Sequence, residues 1–369
     1  MNGVQLEQQV IEWFNMFHEN PEVSWKEYET TARIATILKE QQINVRLFDG
    51  IPGLVAEIGT GNEVIAMRAD IDALWQEVDG VMKANHSCGH DANITIALGA
   101  LMKLKDEKLN RRIRFIFQPA EESGGGALET MKQNVLEDVT HLFGVHLRPI
   151  EELPLGKVTP AIHHGAAIFM KGKIQGPDAH GARPHQGKSA IDILVAIHQF
   201  IQTIHIDPFE ASSIKVTRMQ ADGGSINIIP GNAEFSLDIR AQKNEVLAEI
   251  IQKVETGLHI LGILHDTSIS CEWYDRTPGA VVHAEATALA TAGIIEALGE
   301  EALAAEVHTP GSDDFHFYTV MNPNLKAAML GVGANLAPGL HHPKMTFDRL
   351  ALHDGIEAVA ATLKKAANA

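Results

Sequence analysis

A chain of 369 residues exceeds one typical hydrophobic core, so two domains, or one domain carrying a large insertion, are expected. A formal charge of −17 and only 5% aromatic residues exclude nucleic acid and anionic membrane as expected partners, because polyanions are repelled and few rings are available for base stacking. No apolar run approaches the ~20 residues that a membrane span needs.

The first segment places Leu6, Val10, Trp13, Phe14 and Phe17 at helical spacing, with Glu7 and Glu12 between them. This reads as an amphipathic helix and not as a signal peptide, which needs a basic start and a continuous apolar stretch. The two cysteines, Cys88 and Cys271, are far apart in sequence, and a reducing cytoplasm with free thiols is the expected location. Residues 64–67, 113–117 and 142–145 read as buried strands, and Ile94, Ala97, Leu98, Leu101 and Leu104 recur at helical spacing between them. That alternation predicts an α/β fold with a mixed, mostly parallel sheet covered by helices. Each strand runs into polar residues: Asp70 and Asp72, then Glu121 and Glu122, then His146. Ligands gather at the carboxyl ends of strands in such sheets, so the three clusters are expected to converge.

The middle of the chain changes character. Residues 166–174, 212–219, 233–240 and 267–273 read as strands, and 189–204 and 244–262 as helices. The order strand–helix–strand–strand–helix–strand predicts an inserted α+β, ferredoxin-like domain over 166–277. The remaining segments, 1–165 and 278–369, form the expected first domain, with Pro278-Gly279 as a turn of re-entry.

Chemistry concentrates in a few short stretches. In His86-Ser87-Cys88-Gly89-His90-Asp91, a cysteine and a histidine two apart suit a soft divalent metal, although a buried thiol beside solvent-facing histidines fits those two residues equally well. Adjacent Glu121 and Glu122 point in different directions from a strand end, so one can bind metal while its neighbour faces substrate as a general base. Such a pair is otherwise ordinary solvated surface. His146 follows an apolar run, and His341-His342 lies near the end of the chain. Nineteen histidines make several incidental, and His18, His198, His205, His259 and His265 are read so. Counting Cys88, His90, Glu122, His146 and His341 gives too many ligands for one tetrahedral ion and suits two metals.

These stretches resemble the aminoacylase/carboxypeptidase family of dinuclear metal amidohydrolases, in the branch holding hippurate hydrolases, N-acetyl-amino-acid deacetylases, auxin-conjugate hydrolases and a thermostable carboxypeptidase. The matching motifs are MRADIDAL at 67–74, HSCGHD at 86–91, QPAEE at 118–122, GVHLRP at 144–149, HGARPH at 180–185, GGSINIIP at 223–230, Arg240, GSDDF at 311–315 and GLHHP at 339–343. The resemblance implies that Cys88, His90, Glu122, His146 and His341 bind two divalent ions, zinc first, with manganese, cobalt or nickel as alternatives. It implies that Glu121 is the general base, that Asp70 orients or tunes the centre, and that His180 polarises the scissile carbonyl or its oxyanion, often from the partner subunit. Asn227 and Arg240 match substrate-engaging positions, Arg240 gripping a carboxylate through a bidentate pair. The inserted domain matches the family's lid, which also mediates dimerisation, so a homodimer or higher homo-oligomer is expected. Departures from the family pattern are Trp75 in place of a proline, Asn93 in place of a histidine, Asp313-Asp314 in place of Glu-Asp, and His163-His164 where small residues are usual. Trp75 is a candidate for lining the substrate pocket or for core packing.

The expected reaction is hydrolysis of the amide of an N-acyl amino acid or a related small conjugate. A carboxypeptidase or dipeptidase acting on short peptides through the same site is the alternative, and a non-catalytic, metal-stabilised binding protein is the rival from another class.

Overall fold

The computed structural model describes residues 3–369, so the first two residues of the expected segment 1–165 lie outside the described residues. The chain divides into two compact units, one built from the chain up to His163 with Val281–His308 and Asp314–Ala369, the other from His164–Ala280 with Thr309–Asp313.

The first unit holds a seven-stranded sheet in the order Val45–Leu47, Leu54–Ile58, Arg112–Gln118, Val64–Asp70, Val139–Pro149, Lys326–Leu336, Val158–Thr159. The four strands from Arg112–Gln118 to Lys326–Leu336 are mutually parallel, and antiparallel strands extend both sides. Every residue of Val64–Asp70 is buried, as a central parallel strand covered on both faces requires. Alternate residues feed opposite cores: Ile65, Met67 and Ala69 pack with the helices His90–Leu104 and Leu350–Asn368, while Ala66 joins Ile116, Leu142, Ala127 and Tyr318. The two large helices approach closely through glycine. A Cβ on Gly99 would lie 2.3 Å from Ile356, and one on Gly355 would lie 2.6 Å from Ile96. This reciprocal fit seats the helix whose first residue is His90.

A hairpin, Leu74–Val78 paired antiparallel with Val81–Asn85, sits apart from the main sheet. Its turn, Asp79-Gly80, has positive φ at both residues, the two-residue geometry that matches strand twist.

The second unit is a four-stranded antiparallel sheet in the order Ser212–Ala221, Ala233–Ala241, Ala166–Gln175, Ser268–Thr277, with helices Ala190–Gln202 and Asn244–Leu264. Alternation along Ala233–Ala241 buries Phe235, Leu237 and Ile239 against Ile193, Leu194, Ile197 and Leu247. The strand and helix order is the split βαβ arrangement expected from the sequence. Among the described residues no helix is long and apolar enough to cross a membrane.

Candidate metal centre

Three elements of the first unit deliver the candidate ligands to one place. His90 opens a helix after Gly89, which adopts the left-handed conformation. Glu121 and Glu122 form a short turn directly after the strand Arg112–Gln118 and residues 119–120. His146 lies within Val139–Pro149. His341 comes from a later loop whose backbone N–H donates to the Ser87 carbonyl at 2.7 Å, tying that loop to the one carrying Cys88.

The side chains converge. Cys88, His90 and His146 offer ligand atoms within 4.8 Å of one another, and so do Cys88, Glu122 and His341. Cys88 Sγ is 3.6 Å from His146 Nε2, and His341 Nε2 is 3.3 Å from Glu122 Oε1. His90 Nε2 stands 3.8 Å from Glu121 Oε2 and 3.9 Å from Glu122 Oε1. Cys88, His90 and His146 are buried, while the His341 side chain is 55% exposed and marks the open side.

Hydrogen bonds fix the imidazole tautomers. His90 Nδ1 lies 3.0 Å from the Asp72 carbonyl and 3.1 Å from Asp72 Oδ1, both acceptors, so in the neutral ring Nδ1 carries the proton and Nε2 the lone pair. His146 Nδ1–H donates to the Leu147 carbonyl at 2.8 Å, which turns its Nε2 lone pair toward Cys88. A partner on the far nitrogen is the arrangement that orients a metal-binding histidine.

Buried His90 Nε2 has no hydrogen-bond partner, and buried Glu122 Oε1 has only the half-exposed His341 imidazole at 3.3 Å. Buried polar atoms left unmatched cost stability unless something else binds them. Charge tells the same story. Burial pulls the His90 pKa down, yet Asp70, Cys88 and Asp72 outweigh it and hold it well above the usual value. Burial pushes the Cys88 thiol well up, and the Glu122 carboxylate adds to this. The His341 pKa is raised by its hydrogen bond to Glu122. Thiol, imidazole and carboxylate donors set around a place short of positive charge fit divalent metal.

Beneath the ligands lies a buried polar network. Arg68 donates to Asp70, to Asp314 Oδ1 at 2.7 Å and to Gln118 Oε1 at 2.9 Å. Asn93 Nδ2 donates to Asp70 Oδ1 at 2.7 Å, and the Asp314 N–H donates to Glu121 Oε1 at 3.4 Å. Asp70 is therefore joined to Arg68 and Asn93. The carboxylate that orients His90 is Asp72, which sequence reasoning left unassigned. Its only signal was a second acid two residues on in an apolar run. His18, read as incidental, places Nδ1 2.6 Å from Asp91 Oδ2, which raises its pKa.

The hairpin contributes through Gln76, whose Nε2 donates to the His341 carbonyl at 3.3 Å and whose Oε1 accepts from Asn85 at 2.9 Å. Trp75 projects from the opposite face and is 61% exposed.

In the second unit, His180 and Asn227 share a small ribbon. Ala179 and His180 pair with Ile229 and Ile228, and the Gly181 N–H donates to the Asn227 carbonyl at 2.7 Å. The Ala182 N–H donates to His180 Nδ1 at 3.1 Å, leaving Nε2 as the protonated donor of an exposed ring. Arg240 is ion-paired with Asp238, Nε to Oδ1 at 3.0 Å, and its side chain is 40% exposed.

Comparison with known proteins gives this arrangement its relatives. The chain is 32% identical over 362 residues to an N-acetylcysteine deacetylase of Bacillus subtilis, covering 91% of this chain and 90% of that one. It is 34% identical over 267 residues to thermostable carboxypeptidase 2 of Saccharolobus solfataricus, covering 66% of each. A crystal structure of a Bacillus subtilis protein described as a dinuclear metal binding peptidase superposes with a TM-score of 0.84 at 26% identity over 98% of both chains. The family model for Peptidase family M20/M25/M40 matches residues 66–365. The chain belongs to Peptidase family M20/M25/M40 and is an amidohydrolase/peptidase enzyme on that fold.

Proposed function

We propose that this enzyme hydrolyses the amide bond of N-acyl amino acids or related small conjugates, with Glu121 as general base. The observation that carries the reading is the buried His90 Nε2, left without a hydrogen-bond partner within a group of thiol, imidazole and carboxylate donors. Cys88, His90, Glu122, His146 and His341 would hold two divalent ions, with Cys88 common to both donor groups. The Cys88 thiolate favours zinc, while the other ligands accommodate manganese, cobalt or nickel. When bound, such ions lower the pKa of water and polarise a carbonyl oxygen.

The chain's own residues do the rest. Asp72 holds His90 in its ligating tautomer. Glu121, steadied by the Asp314 N–H, takes a proton from the attacking water as its oxygen bonds to the carbonyl carbon, then returns a proton to the leaving nitrogen as the C–N bond breaks. Asp70 tunes the centre through Arg68 and Asn93. To His180 we assign donation from Nε2–H to the carbonyl oxygen. We assign Asn227 to substrate engagement and Arg240 to the substrate carboxylate. Trp75 is assigned to the rim of the substrate entrance, because its ring is exposed beside Gln76.

The likeness to a thermostable carboxypeptidase favours a second reading, hydrolysis of short peptides through the same residues. A panel of N-acetyl and N-benzoyl amino acids and dipeptides separates the two by rate. On either reading Glu121→Gln is expected to lower kcat by about 10²–10⁴-fold. Equal hydrolysis by wild type and variant across the panel refutes the assignment.

We further propose homodimerisation through the second unit as a lid domain, supported by the edge position of Ser212–Ala221 in its sheet and by the exposed Phe209. A cytoplasmic location is supported by the free thiols Cys88 and Cys271.

A further inference from the structure

Glu27 stands out among the buried acids. It is fully buried at the start of the helix Tyr28–Glu40, far in sequence from every proposed ligand. Its carbonyl accepts from the Thr31 N–H at 2.9 Å and the Thr31 hydroxyl at 2.6 Å, so its backbone is well held. Its side chain serves something else. Oε1 accepts from the Ala120 N–H at 2.7 Å, while Oε2 is buried without a hydrogen-bond partner.

Ala120 is itself unusual. It is fully buried and left-handed, with φ 57 and ψ 40, a conformation that side chains other than glycine rarely adopt. It is the last residue before Glu121. The turn that follows is tight, since a Cβ on Gly126 would lie 1.9 Å from the Pro119 carbonyl oxygen. On the other side of Glu121, the Glu122 N–H donates to Asp72 Oδ2 at 3.0 Å, and Ser24 Oγ donates to that same oxygen at 2.7 Å. The segment carrying Ser24 and Glu27 thus reaches the peptides before and after Glu121, one directly and one through Asp72.

We propose that Glu27 is a positioning residue for the hydrolysis: by holding the Ala120 amide it fixes the left-handed turn that aims Glu121. The proposal rests on Glu121 acting as the base. Burial and the neighbouring Asp72 carboxylate push the Glu27 pKa up to about 8, which agrees with a side chain used as a neutral hydrogen-bonding group. The requirement is an acceptor of the right length at Oε1, and glutamine supplies one.

The test uses the full metal-loaded chain. Glu27→Gln should keep kcat within about 3-fold of wild type. Glu27→Ala should lower kcat by about 10–100-fold, since a misplacement near 1 Å costs about that much, with KM and metal content per chain within about 2-fold. Hydrogen–deuterium exchange over residues 119–124 provides a readout independent of turnover. It should be slow in wild type and Glu27→Gln and at least about 10-fold faster in Glu27→Ala. Glu27→Met, which fills the volume without an acceptor, carries the same expectation if the alanine variant fails to fold. Full turnover in Glu27→Ala, equal damage in Glu27→Gln, or a loss confined to KM overturns the proposal. So does failure of both the Ala and Met variants to fold beside a folded Glu27→Gln. A Glu121→Gln variant that keeps wild-type turnover sinks the base assignment instead, whatever the Glu27 variants do.

Discussion

Replacing Arg68 by methionine tests how far the buried network under the metal site depends on one cation. Arg68 is 1% exposed and bonds Asp70, Asp314 and Gln118. Removing one partner of a buried ion pair costs about 3–5 kcal/mol, because the remaining charge stays desolvated. Here two carboxylates lose the same partner. Neutral donors soften the loss: Asn93 still donates to Asp70, and Gln118 and the Ala127 N–H still donate to Asp314, the last at 2.8 Å. Methionine also fills most of the volume. The lower end of the range, about 3 kcal/mol, is the expected destabilisation. Urea unfolding of metal-free protein measures it, followed by circular dichroism and by fluorescence of a variant that keeps only the buried Trp13 of the first unit. A triple variant, Arg68→Met with Asp70→Asn and Asp314→Asn, removes the stranded charges and should recover at least half of the loss. A loss below about 1 kcal/mol, or a triple variant no more stable than Arg68→Met, refutes the reasoning.

Two further outcomes are expected. Asp72→Asn weakens the acceptor that fixes the His90 tautomer and alters the one that receives the Glu122 N–H, so metal affinity measured by chelator competition should fall about 10–100-fold; unchanged affinity counts against Asp72 as the orienting group. Burial, with the Asp72 carboxylate beside it, pushes the Glu27 pKa from an ordinary 4.5 up to about 8. A raised acid contributes stability that is complete below the lower value and lost as pH rises through the upper one, so metal-free wild type should weaken by a few kcal/mol between about pH 4.5 and 8 relative to Glu27→Gln. Parallel stability profiles for the two proteins exclude a strongly raised Glu27.

Much of this architecture was legible in the sequence because its signals are local. The run through 64–67 has no polar interruption, and the strand found there is buried along its whole length. The alternation in 233–240 matches a strand with one face on a core. The hairpin Leu74–Asn85 is missing from the sequence reading, which treats Trp75 alone as pocket lining or core packing, although Asp79-Gly80 is a strong turn signal. Asp70 and Asp72 could not be told apart by spacing, since both are buried and only the fold decides which reaches His90. Gln76 was overlooked beside the more conspicuous Trp75. The link from His18 to Asp91 depends on helix packing that no motif encodes. The candidate ligands come from counting separate metal-binding side chains, and only the resemblance to a family joins them into one set, because residues so far apart in sequence carry no joint local signal.

The tie between the His341 loop and the Cys88 loop has a consequence for how the protein is made. Gln76 and His341 meet across 265 residues, and His341 follows the strand Lys326–Leu336, which pairs with Val139–Pro149. During synthesis, Cys88, His90 and His146 leave the ribosome long before the strand that brings in His341. The Cys88–His90–His146 group draws on no residue beyond His146, whereas the other group needs His341. The second donor group therefore depends on a segment made much later than the residues that supply the first.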